Sequence, residues 1–545
     1  MNVAKKVPLT EDMDNVIELS KTTKVLLSSF SSIKEKQPVD EFTKLQVSQA
    51  VSFLALVYEK VRNAIEYRED HLLRRAAIER ILKRRLAMNP QAVGEAENLL
   101  RELMWARYFA NGSLGQNDIS VIQKIIDRYL QIKKELVTGR NGNSQVFLSQ
   151  FLFDMLTCEI EENLSPAYAK RQADFIYFIF QTIHKKVKVA DLTEAQKDAF
   201  LFIGLEKSYG KTDIAYQRYH TYCVFYKPLS QYSEDELKQL TTSLPEIFTR
   251  LDKMIRNPLV EKLMKFTRKQ LPPFLILFDI IKEKKQLVQV TLTDKKKLWT
   301  EVDSTCRKKY QLIKSRLNTL AIRSLIYIFI TKMLLAIIIE VPLSKLIYDE
   351  INYGSIAINS IAPPIMMLLI VLTIHLPGED NTKRIYQRLI DIVNADPKYE
   401  QSIALITKKP KAKRPLLVLG FTIFYTLTFI ITLLFIHDIL AAINFNILSQ
   451  LIFIFFISVI SFFAYRIKQV ANEYRLLEKD SIFQPLIDFF FMPILSLGKL
   501  FSEGISQLNV FIVLFDFIIE APYKLIIEVI EEWMTFVRAR KEEIM

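Results

Sequence analysis

The feature that most constrains this chain is a step in hydrophobicity near residue 322. Before it, polar and apolar residues alternate at helical spacing. After it come four apolar runs, Ile322 to Ile339, Ile356 to Ile374, Pro415 to Ile436 and Ile447 to Tyr465. A membrane-crossing helix needs about 17–25 mostly apolar residues. The pattern therefore predicts a multi-pass membrane domain over residues 321–466. Its spans are expected at about 322–340, 356–375, 415–436 and 447–465, behind a soluble front end of residues 1–320. Residues 467–545 are expected as cytoplasmic or interfacial amphipathic helices.

The front end reads as helix throughout. Apolar residues recur every three or four positions in Leu45–Val61, Leu72–Leu86, Ile122–Leu136 and Phe147–Ile160. The chain has only 12 Gly, too few for many strand turns or phosphate loops. The fold class expected is all-α, a cytoplasmic helical bundle or solenoid-like domain before a four-helix transmembrane domain. One stretch, Leu287 to Leu292, alternates like a strand. Beyond span 4, residues 482–536 are rich in Phe, Ile and Leu but interrupted by Pro485, Pro493, Lys499, Glu503 and Asp516. That composition suits helices in the headgroup region or packed on the bundle, with a re-entrant hairpin as the alternative.

Charge orients the spans. The net charge is +13, and much of it flanks the apolar runs. Asp294 to Arg323 holds nine Lys/Arg against three acids, and Pro377 to Arg414 holds nine against five. The intervening loops are poor in cations: Glu340 to Ser355 has Lys345 alone, and His437 to Asn446 has none. Under the positive-inside rule this alternation places both termini in the cytoplasm of a multi-pass inner-membrane protein. The cations Lys408, Lys409, Lys411, Lys413 and Arg414, just before the third run, are the expected contacts to lipid headgroups. Nucleic acid is not the expected partner of this charge. The three cysteines, Cys158, Cys223 and Cys306, form no CxxC pair and read as reduced thiols.

Within the spans, Lys332 stands near the middle of the first run. A charge there costs on the order of 2.5–3.5 kcal/mol on insertion scales and normally faces protein or water. It is either a functional polar site or one half of a structural pair. Glu340 closes the same run, and Pro363 and Pro364 lie within the second, where prolines kink a helix or free carbonyls to line a cavity. Lys332, Glu340, Pro363 and Pro364 are the candidate intramembrane site. With His375, His437 and Asp438 they could also form a stepped proton relay.

Elsewhere the motifs are incomplete. Gly210-Lys211-Thr212 resembles the end of a P-loop, but Gly204 stands one residue too far upstream. His220 and Cys223 share an HxxC spacing, and two ligands do not make a zinc site. No catalytic motif is present, so no catalytic residue, metal or cofactor is expected, and the chain is not expected to be an enzyme. Arg74, Arg75, Arg80, Lys83, Arg84 and Arg85 form a basic helical stretch. Its expected role is a solvated face pairing with Glu79 and Asp70, with acidic lipid or RNA as the alternative.

Three segments carry a family likeness: His71 to Leu86, Ala362 to Thr382 (APPIMMLLIVLTIHLPGEDNT) and Asp516 to Trp533 (DFIIEAPYKLIIEVIEEW). They resemble an uncharacterised family of multi-pass membrane proteins in ultra-small bacteria of the candidate phyla radiation. The resemblance implies a bacterial cytoplasmic membrane and carries no site residues.

Two functions follow as expectations. One is a membrane-anchored scaffold whose N-terminal domain binds a protein partner while the spans hold it to the bilayer. The alternative is a transporter or channel using Lys332 and the Pro363-Pro364 break. Four spans rarely enclose a pathway, so this alternative requires a homo-oligomer.

Overall fold

The computed structural model describes the chain except residues 1–14, 35–38, 41–42, 49–51, 54, 57–58, 60–68, 138–141, 191, 349–352, 373, 375, 396–403, 407–414, 477–483, 508–525, 527–528, 531, 534–535, 538–539 and 541–545. Among the described residues the protein is all-α but for one two-stranded parallel sheet, β1 (Val187–Val189) with β2 (Ala404–Ile406). The chain packs as two units. One, the helical unit, comprises Ser20–Arg268, Ala395–Lys408 and Ile512–Met545. The other, the apolar unit, comprises Met1–Leu19, Lys269–Asn394 and Lys409–Phe511.

The helical unit contains α1 (Lys21–Ser32), α2 (Asp70–Met88), α3 (Glu95–Trp105), α4 (Gln116–Val137), α5 (Asn143–Leu164), α6 (Pro166–Ile183), α7 (Glu194–Ser208), α8 (Ile214–Phe225) and α9 (Glu234–Ile255). Local sequence sets several starts. Thr193 and Ser233 close capping boxes with Gln196 and Glu236, Asp213 caps α8, and Pro166 occupies the first turn of α6, where its missing N–H costs nothing. Helix α5 is central and packs against α2, α4 and α8. Phe151 of α5 stacks on Phe248 of α9 with ring centroids 4.1 Å apart, both fully buried.

The helix α10 (Pro258–Lys284) begins in the helical unit and passes into the apolar unit at Lys269; the apolar unit continues with α11 (Val288–Thr293), α12 (Lys295–Leu335), a π-helical segment Ala336–Glu340, α13 (Val341–Tyr348), α14 (Tyr353–Leu372), α15 (Glu379–Asn394), α16 (Pro415–Ala442), α17 (Ile447–Ala471) and α18 (Gln484–Gln507). The expected strand at 287–292 is helix, because the apolar Val288 and Leu292 are buried on one side at i,i+4 spacing. At 41 residues α12 is about 60 Å long, and the hydrophobicity step lies inside it.

Among the described residues, three helices are long and apolar enough to cross a membrane: the continuous run Lys295–Ile347, α16 and α17. The second expected span, 356–375, falls on α14, whose apolar stretch Tyr353–Leu369 is shorter than the other three. Their outward faces are dense in Ile, Leu and Phe, and α16 is exposed along nearly its whole length. A bilayer would solvate such surfaces. Inside, α14 packs on α12 and α17 around Ile328, Met367, Ile460 and Ala464.

Helix α18 lies along α17 so closely that a Cβ on Gly498 would come within 2.0 Å of the Ser458 carbonyl oxygen. Small residues permit this approach between apolar helices. On α16, Phe424 stacks on Phe489 and the Tyr425 hydroxyl meets Ser496 Oγ at 3.2 Å. Residues 484–507 thus form a helix packed on the bundle.

Candidate functional site

Lys332 and Glu340 are eight residues apart. In a regular α-helix that separation turns 80° past two full revolutions, and the side chains diverge. The π segment Ala336–Glu340 absorbs one residue between them. The effective spacing becomes seven, two nearly complete turns, and both side chains emerge on one face. Lys332 Nζ donates to Glu340 Oε2 at 3.0 Å, and both residues are fully buried.

Two neighbouring helices complete the centre. Asn359 of α14 donates from Nδ2 to Glu340 Oε1 at 2.9 Å and to the Ser449 carbonyl at 3.1 Å. The Ser449 hydroxyl donates to the same Glu340 Oε1 at 2.8 Å. Ser449 stands in the first turn of α17, where its backbone N–H is capped by Asn446 at 2.8 Å. The Glu340 carboxylate therefore sits beside the positive end of a helix dipole. Opposite it, the Lys332 ammonium lies 5.0 Å from the centre of the Phe456 ring, a cation–π distance.

Pro363 and Pro364 lie within α14, which stays helical through both. Neither can donate to the residue four before it. The carbonyls so deprived of their regular donors are those of Asn359 and Ser360, so the proline pair and the Lys332–Glu340 pair bear on one location. Among the described residues, Asn359 Oδ1 and Ser344 Oγ are buried with no hydrogen-bond partner.

Of the residues offered for a stepped relay, His437 of α16 meets Gln450 Oε1 of α17 through Nδ1 at 2.6 Å, and His375 lies outside the described residues. So do Lys408, Lys409, Lys411, Lys413 and Arg414, the headgroup contacts expected from sequence. Sequence reading missed Asn359 and Ser449. A polar residue inside each of two apolar runs was the available signal.

The helical unit holds a second concentration of charge. The basic face of α2 was expected to be solvated, and the structure corrects this. Glu79 does pair with Arg75 and with the exposed Lys83. Arg75 also reaches Asp213 at 2.7 Å, and the remaining cations turn inward onto acids of other segments: Arg74 to Glu161, Arg80 to Glu59, and Arg84 and Arg85 to Glu102. Carboxylates buried on α3 and α5 require cations, and α2 supplies them. Deeper in, Arg218 forks between Asp154 (2.7 Å) and Asp252 (2.6 Å) and lies 4.9 Å from the Phe151 ring.

His220 bridges two acids, with Nε2 2.7 Å from Glu162 Oε1 and Nδ1 2.9 Å from Glu206 Oε2. Burial works against its charge, yet the Glu206 carboxylate and the hydrogen bonds to Glu162 and Glu206 hold its pKa well above the usual histidine range. Both ring nitrogens are thereby used as donors. His71 behaves oppositely. Burial first, then the Arg74 charge, lower its pKa to about 4. Its Nδ1 lies 3.1 Å from the Tyr168 hydroxyl. Burial pushes the Cys158 thiol well above its ordinary value, as expected of an inert structural cysteine. Lys211, at the P-loop-like turn, pairs with Glu69 at 2.8 Å. Among the described residues no group of three or more His, Cys, Asp or Glu is arranged to hold a metal ion.

No protein-family model, curated protein or solved structure matches this chain.

Proposed function

We propose that this protein is a membrane-anchored scaffold: the helical unit binds a protein partner, and the apolar helices hold it at a bacterial inner membrane as a multi-pass protein with cytoplasmic termini. The observation that carries this reading is the contrast between the two units. In the apolar unit the one buried cation of the first span is neutralised within its own helix run, by Glu340, and Glu340 is held in turn by Asn359 and Ser449. A charge so enclosed serves packing and helix placement. The helical unit folds around an extensive core of its own, more structure than an anchor needs, and leaves Tyr177 and Phe225 exposed.

The test is crosslinked affinity purification of the full-length protein from its native membrane. Beside it run the full-length double variant Lys332→Met/Glu340→Gln and a full-length variant carrying Tyr177→Ser and Phe225→Ser. A scaffold keeps its partner in the first variant and loses or weakens it in the second. Self-association alone, abolished in the first variant and unchanged in the second, would refute the scaffold and favour an oligomeric transporter centred on Lys332 and Pro363-Pro364.

A further inference from the structure

Helix α18 lies at the depth of the spans. Phe501 meets Phe455 of α17 with ring centroids 4.9 Å apart, and Gly498 sits against Ser458 and Phe462. Going forward from Gly498 to Phe501 therefore leads back along α17, so the two helices are antiparallel. Nearer its start, α18 meets α16: Phe489 stacks on Phe424 at 5.3 Å, and Ser496 Oγ lies 3.2 Å from the Tyr425 hydroxyl. Phe424 and Tyr425 stand near the midpoint of the run Pro415 to Ile436, and Phe455 near that of Ile447 to Tyr465. The stretch from Phe489 to Phe501, about 18 Å of helix, is thus level with the inner parts of two spans, in an apolar layer about 30 Å thick.

Both ends of the segment can be followed. The chain reaches α18 from Ala471, at the end of α17, through a connection tied down by Asn381. That side chain donates from Nδ2 to the Tyr474 carbonyl and accepts at Oδ1 from the Leu476 N–H, both at 2.8 Å. Helix α18 therefore starts on the side where α17 ends, the side of Lys468 and Arg475. By Ile530 the chain belongs to the helical unit and packs on its core. Between these points, Phe491, Met492 and Leu500 of α18 are exposed, as are Leu451 and Phe463 of α17. Lys499 interrupts this apolar surface, with Glu503 four residues on; opposite charges at that spacing offset one another.

We propose that α18 is an inserted arm of the membrane domain. It enters the bilayer from the cation-rich side and presents Phe491, Met492 and Leu500 to lipid acyl chains. The chain then returns to the side it entered from before Ile530. The inference rests on the membrane placement of α16 and α17 proposed above. Every backbone group between turns of a helix is bonded internally, so α18 can lie in lipid without orphaned N–H or carbonyl groups. Its charges keep composition alone from nominating it as a span, and contact with α16 and α17 sets its depth instead.

The experiment places the full-length chain in phosphatidylcholine nanodiscs containing a phosphatidylcholine with a diazirine at the end of its acyl chain. After illumination, labelled residues are mapped by mass spectrometry. Label is expected on Phe491, Met492 and Leu500 of α18 and on the exposed Leu427 and Ile431 of α16, but not on the exposed Val146 of the helical unit. Label on α16 with none on α18 overturns the insertion and leaves the anchored reading standing; label on neither helix overturns both. The return is read from full-length fusions at the C-terminus. A green fluorescent protein after Met545 should be bright, as it is when placed ahead of Met1. A dark fusion whose alkaline phosphatase counterpart is active would mean that the chain crosses without returning, and overturns the proposal.

Discussion

Breaking the Lys332–Glu340 pair one side at a time should be far more harmful than removing it whole. Both side chains are fully buried and 3.0 Å apart. Lys332→Met leaves Glu340 with two neutral donors, Asn359 and Ser449, and no counter-charge. Glu340→Gln leaves the ammonium with a neutral amide and the Phe456 ring at 5.0 Å but no counter-charge. Removing one partner of a buried ion pair costs about 3–5 kcal/mol, whereas replacing both by groups of similar volume is often neutral or stabilising. Each single variant should therefore lose about 3–5 kcal/mol, and Lys332→Met/Glu340→Gln should fall within about 2 kcal/mol of wild type. The assay is a double-mutant cycle by denaturant unfolding in mixed micelles, in N-methylglucamine chloride so that no small cation intervenes. The reasoning fails if the two single losses add in the double variant, because additivity means the residues do not interact.

Four further outcomes are expected. Gly498→Ala should destabilise by about 1–3 kcal/mol, since the new Cβ would meet the Ser458 carbonyl and lie 2.8 Å from Phe462 Cβ; Gly420→Ala, with nothing within 4 Å, should be neutral or slightly stabilising in the same denaturant unfolding assay. The His71 pKa of about 4, against an ordinary 6.5, means that between these values the unfolded chain binds a proton the folded chain does not. Stability should then fall as pH drops from 6.5 towards 4, by up to about 3 kcal/mol, and His71→Gln should flatten that part of a pH series of denaturation curves. The raised pKa of His220 acts in the opposite sense: its contribution is complete below the unfolded value and is lost as pH rises through the folded one, a loss that His220→Gln should remove. Arg218→Lys, which keeps the charge but not the fork between Asp154 and Asp252, should cost about 2 kcal/mol, measured by the shift in denaturation midpoint; an unchanged midpoint would mean the fork is dispensable.

The sequence alone determined the helical character of the chain, several helix starts and the apolar runs, because these depend on neighbours three or four residues away. Thr193, Ser233 and Asp294 mark helix starts through their own short side chains. The cost of a cation at Lys332 was legible too, since it needs only the residue and its apolar flanks. What answers that cation was not. Glu340 reaches Lys332 only because one residue is absorbed in a π turn, a phase shift that no periodicity records, and Asn359 and Ser449 arrive from helices 19 and 109 residues away from Glu340 in the chain. The α2 arginines read as a solvated face for the same reason. A helical pattern shows which side a residue occupies, while the tertiary structure alone decided that this side meets Glu161, Asp213 and Glu102. Local sequence sets local geometry, whereas the partners of buried charges are set by which helices pack together and in what rotation.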